Sequence, residues 1–338
     1  MAVNHTVRII PHERSISVPE NLPVLAAAQL AGLPLPHSCR SGRCGSCRAR
    51  LVSGHIEYPA GPPLGLSPLE MRQGFVLLCQ ALARSDLVVE ARLIQSAAAA
   101  EIKTLPSRIA RRVRLAPDVM QLMVRVPAVE SMDFLAGQYL DVLLEGGERR
   151  SFSVANAPCA GGQYELHVRL VPGGRFSEAV FGSLREGALL RIEGPLGRFI
   201  YESGTAPALF IAGGTGFAPI KAMLGQALAE SSGRELYLYW GARSPSGLYE
   251  EALVREWARR HARFKVHTVL SDTAQPSAGH RTGWVHEAVL QDHPDLADFV
   301  IYAAGPPAMI EAIQNSFPAR GARAAELHLD SFDYAAGP

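Results

Sequence analysis

The chain has almost no excess of charge: 33 Lys and Arg face 32 Asp and Glu, a formal net charge of +1 over 338 residues. Without the basic surplus of a nucleic-acid binder, no polyanion partner is expected. Its start lacks an apolar core as well. In "MAVNHTVRIIPHERSISV" the apolar residues are broken up by Asn4, His5, Arg8 and His12, so neither a leader nor a membrane span is expected there. There is no internal repeat, and "AAAA" at 97–100 is the sole low-complexity patch. Cysteine is scarce, with five in the whole chain, yet three of them fall within "SCRSGRCGSC" at 38–47. A disulfide framework needs an oxidising setting, so the crowding reads as metal or cluster ligation in a cytoplasmic protein. With 48% hydrophobic and 19% charged residues the rest is an ordinary globular composition, long enough for two or three domains.

Three textures follow one another. The segments Val7–Ile9 and Ile16–Val18 alternate around "PHERS" as a hairpin does, and "NLPVLAAAQLAG" predicts a short helix with Leu22, Leu25, Ala26 and Leu30 on its apolar face, closing at Gly32. "RARLVSGHIEY" and "DLVVEARLI" read as further strands. From 93 to 107 the chain turns small and polar, the composition of a linker. Strands separated by Gly and Pro turns then run to about Tyr201, which predicts a small antiparallel barrel or sandwich. Beyond it, five short apolar runs alternate with amphipathic segments, the signature of a doubly wound parallel sheet.

Cys39, Cys44 and Cys47 are spaced C-x4-C-x2-C, and Cys79 follows after 31 residues. That is the plant-type spacing for a [2Fe-2S] centre. Its thiolates and sulfides carry net negative charge, which Gly42 and Gly45 would meet by letting backbone N–H groups curl toward the sulfurs. Ser41 and Ser46 offer small donors, and Arg40, Arg43 and Arg48 add positive charge, either to dock an acidic electron acceptor or as a solvated face. A four-cysteine zinc site usually has two close pairs, unlike this arrangement. A Rieske centre needs two histidines, and although His37 is near, no Cys-x-His pair surrounds Cys79. Cys159 reads as incidental.

Two middle stretches, "RRSFS" at 149–153 and "VPGGRFSEAVF" at 171–181, mix arginine with small residues around an aromatic. Arg150 suits a bidentate clamp on phosphates, Phe152 a flat surface for a ring, and Ser177 an N-cap for the helix that follows. In "QYELHVRLV" Glu165, His167 and Arg169 form the polar face, toward water or a ligand. "LFIAGGTGFAPIKAML" reads strand, glycine turn, helix, with the geometry of a dinucleotide site, and "YAAGPPAM" at 302–309 would border the same crevice.

These motifs together resemble the NAD(P)H-dependent flavin and iron-sulfur reductases of the ferredoxin-NADP reductase superfamily, over essentially the whole chain. The resemblance implies a β-grasp ferredoxin domain over 1–95, a linker over 96–107, an antiparallel β-barrel flavin domain over 108–202 and a doubly wound nucleotide domain over 203–338. Its R-x-[YF]-S motif carries FAD contacts onto Arg150, Ser151, Phe152 and Ser153, with Ser153 near the reactive flavin nitrogen. "HVR" and "GGRFS" add His167, Val168, Arg169, Gly174, Arg175, Phe176 and Ser177. For NADH the resemblance implies Gly213, Gly214, Thr215, Gly216, Ala218 and Pro219, with Gly241 and Arg243 from "GARSPSGLY" and with Gly305, Pro306 and Pro307. "LHLDSF" supplies Asp330 near the nicotinamide and Phe332 beside the flavin, so Ser153, Asp330 and Phe332 are the candidate catalytic residues. Ala304 stands where many relatives have cysteine, Phe152 replaces the commoner tyrosine, and Tyr334 departs from the usual ending. The implied activity is electron transfer from NADH through FAD and a [2Fe-2S] cluster to a separate acceptor, foremost the terminal oxygenase of an aromatic-ring dioxygenase system, by a monomer with no nucleic-acid or membrane partner. The alternatives are the reductase of 3,6-dideoxysugar synthesis, CDP-6-deoxy-glucoseen reductase, and a sensor that does not turn over.

Overall fold

The computed structural model describes residues 3–33, 35, 37, 42, 47–63, 65–66, 68–91, 102–127, 130–159, 161–230, 232–272 and 279–332. Cys39, Cys44, Arg40, Arg43, Ser41, Gly45, Ser46, most of the stretch read as linker, and Tyr334 lie outside them. The chain divides into two compact units, Met1–Ala99 and Ala100–Pro338. No helix among the described residues is long and apolar enough to cross a membrane.

In the first unit the expected hairpin forms: β1 (Asn4–Ile10) pairs antiparallel with β2 (Arg14–Pro19), Val7 opposite Ile16, and the alternating apolar set is buried. Helix α1 (Val24–Leu30) packs Val24, Leu25, Ala27 and Ala28 inward, each large side chain contributing about 1.5–3 kcal/mol of burial. Leu30, expected on that face, is 82% exposed. At about 100° per residue it lies well past a right angle from the Val24–Ala28 stripe, on the side of the helix that the sheet does not cover. After it come β3 (Arg48–Ser53), β4 (Ile56–Glu57), α2 (Pro68–Arg72), β5 (Phe75–Leu77), β6 (Leu82–Ala83) and β7 (Leu87–Glu90). The main sheet has order β2-β1-β7-β3-β5 with β1 and β7 parallel, a β-grasp arrangement, and β4 pairs β6 separately.

The second unit opens with β8 (Lys103–Ala116), so Lys103–Ser107, read from composition as linker, is strand paired to its neighbour in the sheet. Turn-punctuated apolar alternation then gives β9 (Val119–Arg125), β10 (Tyr139–Leu143), β11 (Arg149–Ser153), β12 (Gln163–Arg169), helix α3 (Arg175–Phe181) and β13 (Leu189–Leu196). The antiparallel order is β11-β10-β13-β8-β9-β12, and a bridge from Val154 to Leu166 brings its two edges together. That closure makes a barrel, with Leu122, Val124, Leu140, Val142, Leu166 and Val168 filling its interior.

A doubly wound layer follows: β14 (Ala208–Gly213), α4 (Phe217–Ala229), β15 (Leu236–Ala242), α5 (Glu251–Arg260), β16 (Phe264–Leu270), β17 (Arg281–Thr282), α6 (Val285–Asp292), β18 (Val300–Gly305), α7 (Pro307–Ser316) and β19 (Leu327–Ser331). All pairs are parallel in the order β17-β16-β15-β14-β18-β19. The winding reverses between β14 and β18, which opens a crevice at their carboxyl ends. Helix α4 is buried on nearly every side, because the sheet covers one face and the barrel another. Gly137 of the barrel and Gly225 of α4 mark that contact: a Cβ on Gly137 would stand 2.3 Å from Met223 Cε and 2.1 Å from the Phe199 carbonyl, and one on Gly225 3.2 Å from Ala157 Cβ.

Gly137 also has φ 100°, so Gly137→Ala combines backbone strain with overpacking. Chemical denaturation of the variant is expected to show a loss of about 2–5 kcal/mol, and an unchanged midpoint would contradict the close packing of α4 against the barrel.

Candidate functional site

The two loops at the β14/β18 crevice press against one another. A Cβ on Gly216 would lie 2.0 Å from the Ala304 carbonyl oxygen, one on Gly213 2.6 Å from Pro306 Cδ, and one on Gly305 3.1 Å from Gly213 Cα. A side chain at Gly213 or Gly216 would clash with the facing loop, and one at Gly305 would crowd it. After the single 3-10 turn Gly214–Gly216, α4 starts with Phe217, Ala218 and Pro219, whose lack of an N–H costs nothing in a first turn. Trp240, which the sequence reading did not single out, fixes the turn: its ring stacks on Phe217 at 3.9 Å and its Nε1 donates to the Gly214 carbonyl at 3.2 Å. Glycine-lined backbone at a helix N-terminus is a cradle for a dinucleotide diphosphate, so the residues fit NADH. Across the crevice Asp330 is buried opposite Ala304, Ser331 opposite Gly305, and the Phe332 N–H donates to the Gly305 carbonyl at 3.0 Å. Gly241 and Arg243 follow at the carboxyl end of β15, where Val285 closes over Gly241.

On the barrel, β11 sets Ser153 opposite Tyr139, and the Ser153 Oγ is buried without a hydrogen-bond partner. A buried hydroxyl left unmatched costs free energy that a bound polar ring atom would recover, and in this respect the site fits a flavin. Phe152 is half-buried with its ring 5.4 Å from that of Phe176. Ser151 donates to Asp141 at 2.6 Å. Glu148 bridges the two candidate phosphate clamps, at 3.1 Å from Arg150 and 2.9 Å from Arg175. Ser177 is not the N-cap: α3 begins at Arg175 with Gly174 before it, and the Ser177 Oγ turns back to the carbonyls of Gly174 and Val171 at 3.0 and 3.2 Å. A Cβ on Gly174 would meet that hydroxyl at 2.6 Å, which fixes the tight approach to the helix.

The polar face of β12 is turned neither to water nor to an open cleft. Glu165 and His167 are both buried against the nucleotide domain, and Val168 is buried in the barrel core. Glu165 Oε1 accepts from Gln121 at 2.6 Å, from His167 Nε2 at 2.8 Å and from Lys221 Nζ of α4 at 2.7 Å. Lys221 also donates to Glu250 at 2.8 Å, and His167 Nδ1 meets the Tyr249 hydroxyl at 2.9 Å. Burial alone would raise the Glu165 carboxyl, but the His167 hydrogen bond and the Lys221 charge outweigh it and hold it at about 2. Both ring nitrogens of His167 are thereby engaged within this cluster. Two residues further along, Arg169 places a guanidinium nitrogen 3.0 Å from where a Gly214 Cβ would be, so the barrel strand and the nucleotide turn adjoin. The lone lysine in "FAPIKAML" was the one signal of this cluster in the sequence.

In the first unit, Arg48 opposite Leu77 in the β3–β5 pairing sets Cys47 and Cys79 just beyond facing strand ends, and the Cys47 carbonyl accepts from the Leu78 N–H at 3.2 Å. Both thiols are buried. Tyr58 lies close to them: burial pushes its hydroxyl up to about 12, the hydrogen bond from Leu77 opposes this, and negative charge on the two sulfurs adds to it. Gly42, at φ 74°, rests on Gln80, where a Cβ would come within 2.9 Å, so this residue lies beside the Cys79 segment. Two buried thiols just beyond paired strand ends fit two of the four donors of a sulfur-ligated cluster. His37 is engaged elsewhere, with Nδ1 to the Leu35 carbonyl at 2.9 Å and Nε2 to Gln29 at 2.8 Å. Arg48 pairs with Glu70.

Comparison with known proteins agrees with this geometry in each part. The families described as 2Fe-2S iron-sulfur cluster binding domain, oxidoreductase FAD-binding domain and oxidoreductase NAD-binding domain match residues 7–84, 106–201 and 210–315. The chain is 36% identical to a CDP-6-deoxy-L-threo-D-glycero-4-hexulose-3-dehydrase reductase of Yersinia pestis, over 91% of this chain and 92% of that protein. It is 35% identical to terephthalate 1,2-dioxygenase reductase component 1 of Comamonas sp, over 98% of each. The crystal structure of the Amycolatopsis cytochrome P450 reductase GcoB superposes with a TM-score of 0.76 at 31% identity, covering 98% of this chain and 100% of that one. With its three cofactor modules in that order, the chain belongs to the NADH-dependent flavin and [2Fe-2S] iron-sulfur reductases of the ferredoxin-NADP reductase superfamily.

Proposed function

We propose that this reductase feeds electrons from NADH to the terminal oxygenase of an aromatic-ring dioxygenase system, as a monomer in the cytoplasm. The observation that carries the electron-transfer reading is the contact of Arg169 with the Gly214 turn, which sets the flavin-side strand against the nucleotide loop within one compact unit. The acceptor is argued from the relatives: two terephthalate dioxygenase reductase components align over 98–99% of this chain at 35% identity. The hexulose dehydrase reductases, 36% identical over 91%, favour a dehydrase as a second acceptor reading.

In this proposal Gly213, Gly214, Thr215, Gly216, Ala218 and Pro219 bind the NADH diphosphate by backbone N–H groups, with Gly305, Pro306 and Pro307 forming the opposite wall and Gly241 and Arg243 the outer end. Arg150 and Arg175 release Glu148 to hold the flavin phosphates, Arg169, Gly174 and Phe176 shape the surface around them, and Ser151, His167, Val168 and Ser177 hold the strands and helix that carry these residues. Phe152 and Phe332 pack against the ring, Ser153 Oγ donates its unmatched hydroxyl to it, and Asp330 orients the nicotinamide. Cys39, Cys44, Cys47 and Cys79 hold the cluster. When bound, FAD accepts a hydride from NADH, two electrons at once, and the [2Fe-2S] centre accepts them singly for delivery to the acceptor protein. Ala304 has no group to donate, so the chain contributes positioning alone beside the nicotinamide.

Two substitutions separate the steps. Ser153→Ala is expected to lower the limiting rate of flavin reduction by NADH on the order of 100-fold in stopped-flow absorbance, with FAD still bound. Cys79→Ser is expected to leave that rate within a factor of roughly two while abolishing cluster absorbance and cytochrome c reduction. NADH-dependent turnover of an aromatic carboxylate on mixing with a terminal oxygenase supports the proposed acceptor, and turnover only with a hexulose dehydrase would reassign it.

A further inference from the structure

The cluster around Lys221 joins the two halves of the second unit. Glu165 and His167 come from barrel strand β12, Lys221 from α4, and Glu250 from the residue preceding α5. Oxygen and nitrogen atoms of Glu165, His167 and Glu250 lie within 4.8 Å of one another, a spacing that a metal ion would suit. Lys221 Nζ already stands between the carboxylates at 2.7 and 2.8 Å, so the chain supplies its own cation. Glu250 Oε2 is buried with no hydrogen-bond partner and points at His167 Nε2 from 3.7 Å.

Apolar side chains of similar size would cover the same area at lower desolvation cost, but they would tolerate sliding. A shared ammonium between two carboxylates has one geometry, and it sits five residues after Gly216, where the nucleotide turn ends. On the barrel side His167 lies two residues before Arg169, the residue that meets Gly214.

We propose that Glu165, His167, Lys221 and Glu250 form an interdomain lock that holds the nucleotide domain in register on the flavin barrel and so sets the hydride-transfer geometry. These are positioning residues, and the proposal rests on the NADH-to-flavin reading above.

The test uses the full-length holoenzyme carrying Lys221→Met, with Glu250→Gln as the milder variant that keeps volume and an acceptor oxygen. Hydrogen exchange over 163–169 and 217–229 is expected to speed up while exchange over β1–β3 stays unchanged. In anaerobic stopped-flow, the limiting rate of flavin reduction is expected to fall about 10- to 100-fold, with the apparent Kd for NADH changed less than about threefold. Unaltered exchange in both variants overturns the lock, as does a slowed reduction expressed wholly in Kd. If Lys221→Met does not fold, Glu250→Gln decides by the same two readouts. A wild-type chain whose flavin is not reduced by NADH would overturn the functional reading instead, while the exchange comparison would still decide whether the lock exists.

Discussion

Backbone against backbone at the β14/β18 crevice is the constraint on which the site depends. Gly216 lies so close to the Ala304 carbonyl, and Gly213 to Pro306, that any side chain would force the two loops apart. That closeness is what leaves a helix N-terminus open beside a switch point in a parallel sheet, and it requires β14 and β18 to be neighbours. Their being neighbours depends on the buried strand core of Phe210, Ala212, Tyr302 and Ala304, and on α4 packing over it. The path from apolar sequence runs to a nucleotide cradle is therefore short and has few degrees of freedom.

The barrel meets that cradle through α4, which carries the glycine turn at one end and Lys221 on its second turn. Burying a lysine between two carboxylates is stable only because all three arrive from different elements already fixed by their own cores. Removing one partner of such a group costs about 3–5 kcal/mol, since the remaining charge is stranded in a dry setting. The lowered pKa of the Glu165 carboxyl expresses the same balance. Its carboxylate contribution is complete above its ordinary value of 4.5 and is lost only as pH falls toward about 2, so ordinary working pH leaves the cluster intact.

Much of this was legible in the sequence because the signals were local. The alternation around "PHERS", the glycine turn before "FAPIKAML" and the cysteine spacing each specify their own geometry within a few residues. What could not be read was non-local. Leu30 satisfies a helical period yet falls off the buried stripe, since the stripe is set by which face the sheet covers. Lys103–Ser107 has linker composition but is held as strand by pairing with residues more than 80 positions away. Ser177 has the chemistry of a cap, and the helix simply starts two residues earlier. Glu165 and His167 alternate as an outward face, and only the docking of a second domain decides that outward means buried.

The three modules have one shared purpose, to carry electrons within a single polypeptide from pyridine nucleotide to a sulfur-ligated iron pair. Anaerobic titration of the reconstituted chain with NADH, followed by electron paramagnetic resonance, tests it most directly. A rhombic signal of a reduced [2Fe-2S] centre growing toward about one spin per chain is the predicted result. Loss of flavin colour with no paramagnetic species, or a chain that stays colourless after iron and sulfide are supplied, would contradict it.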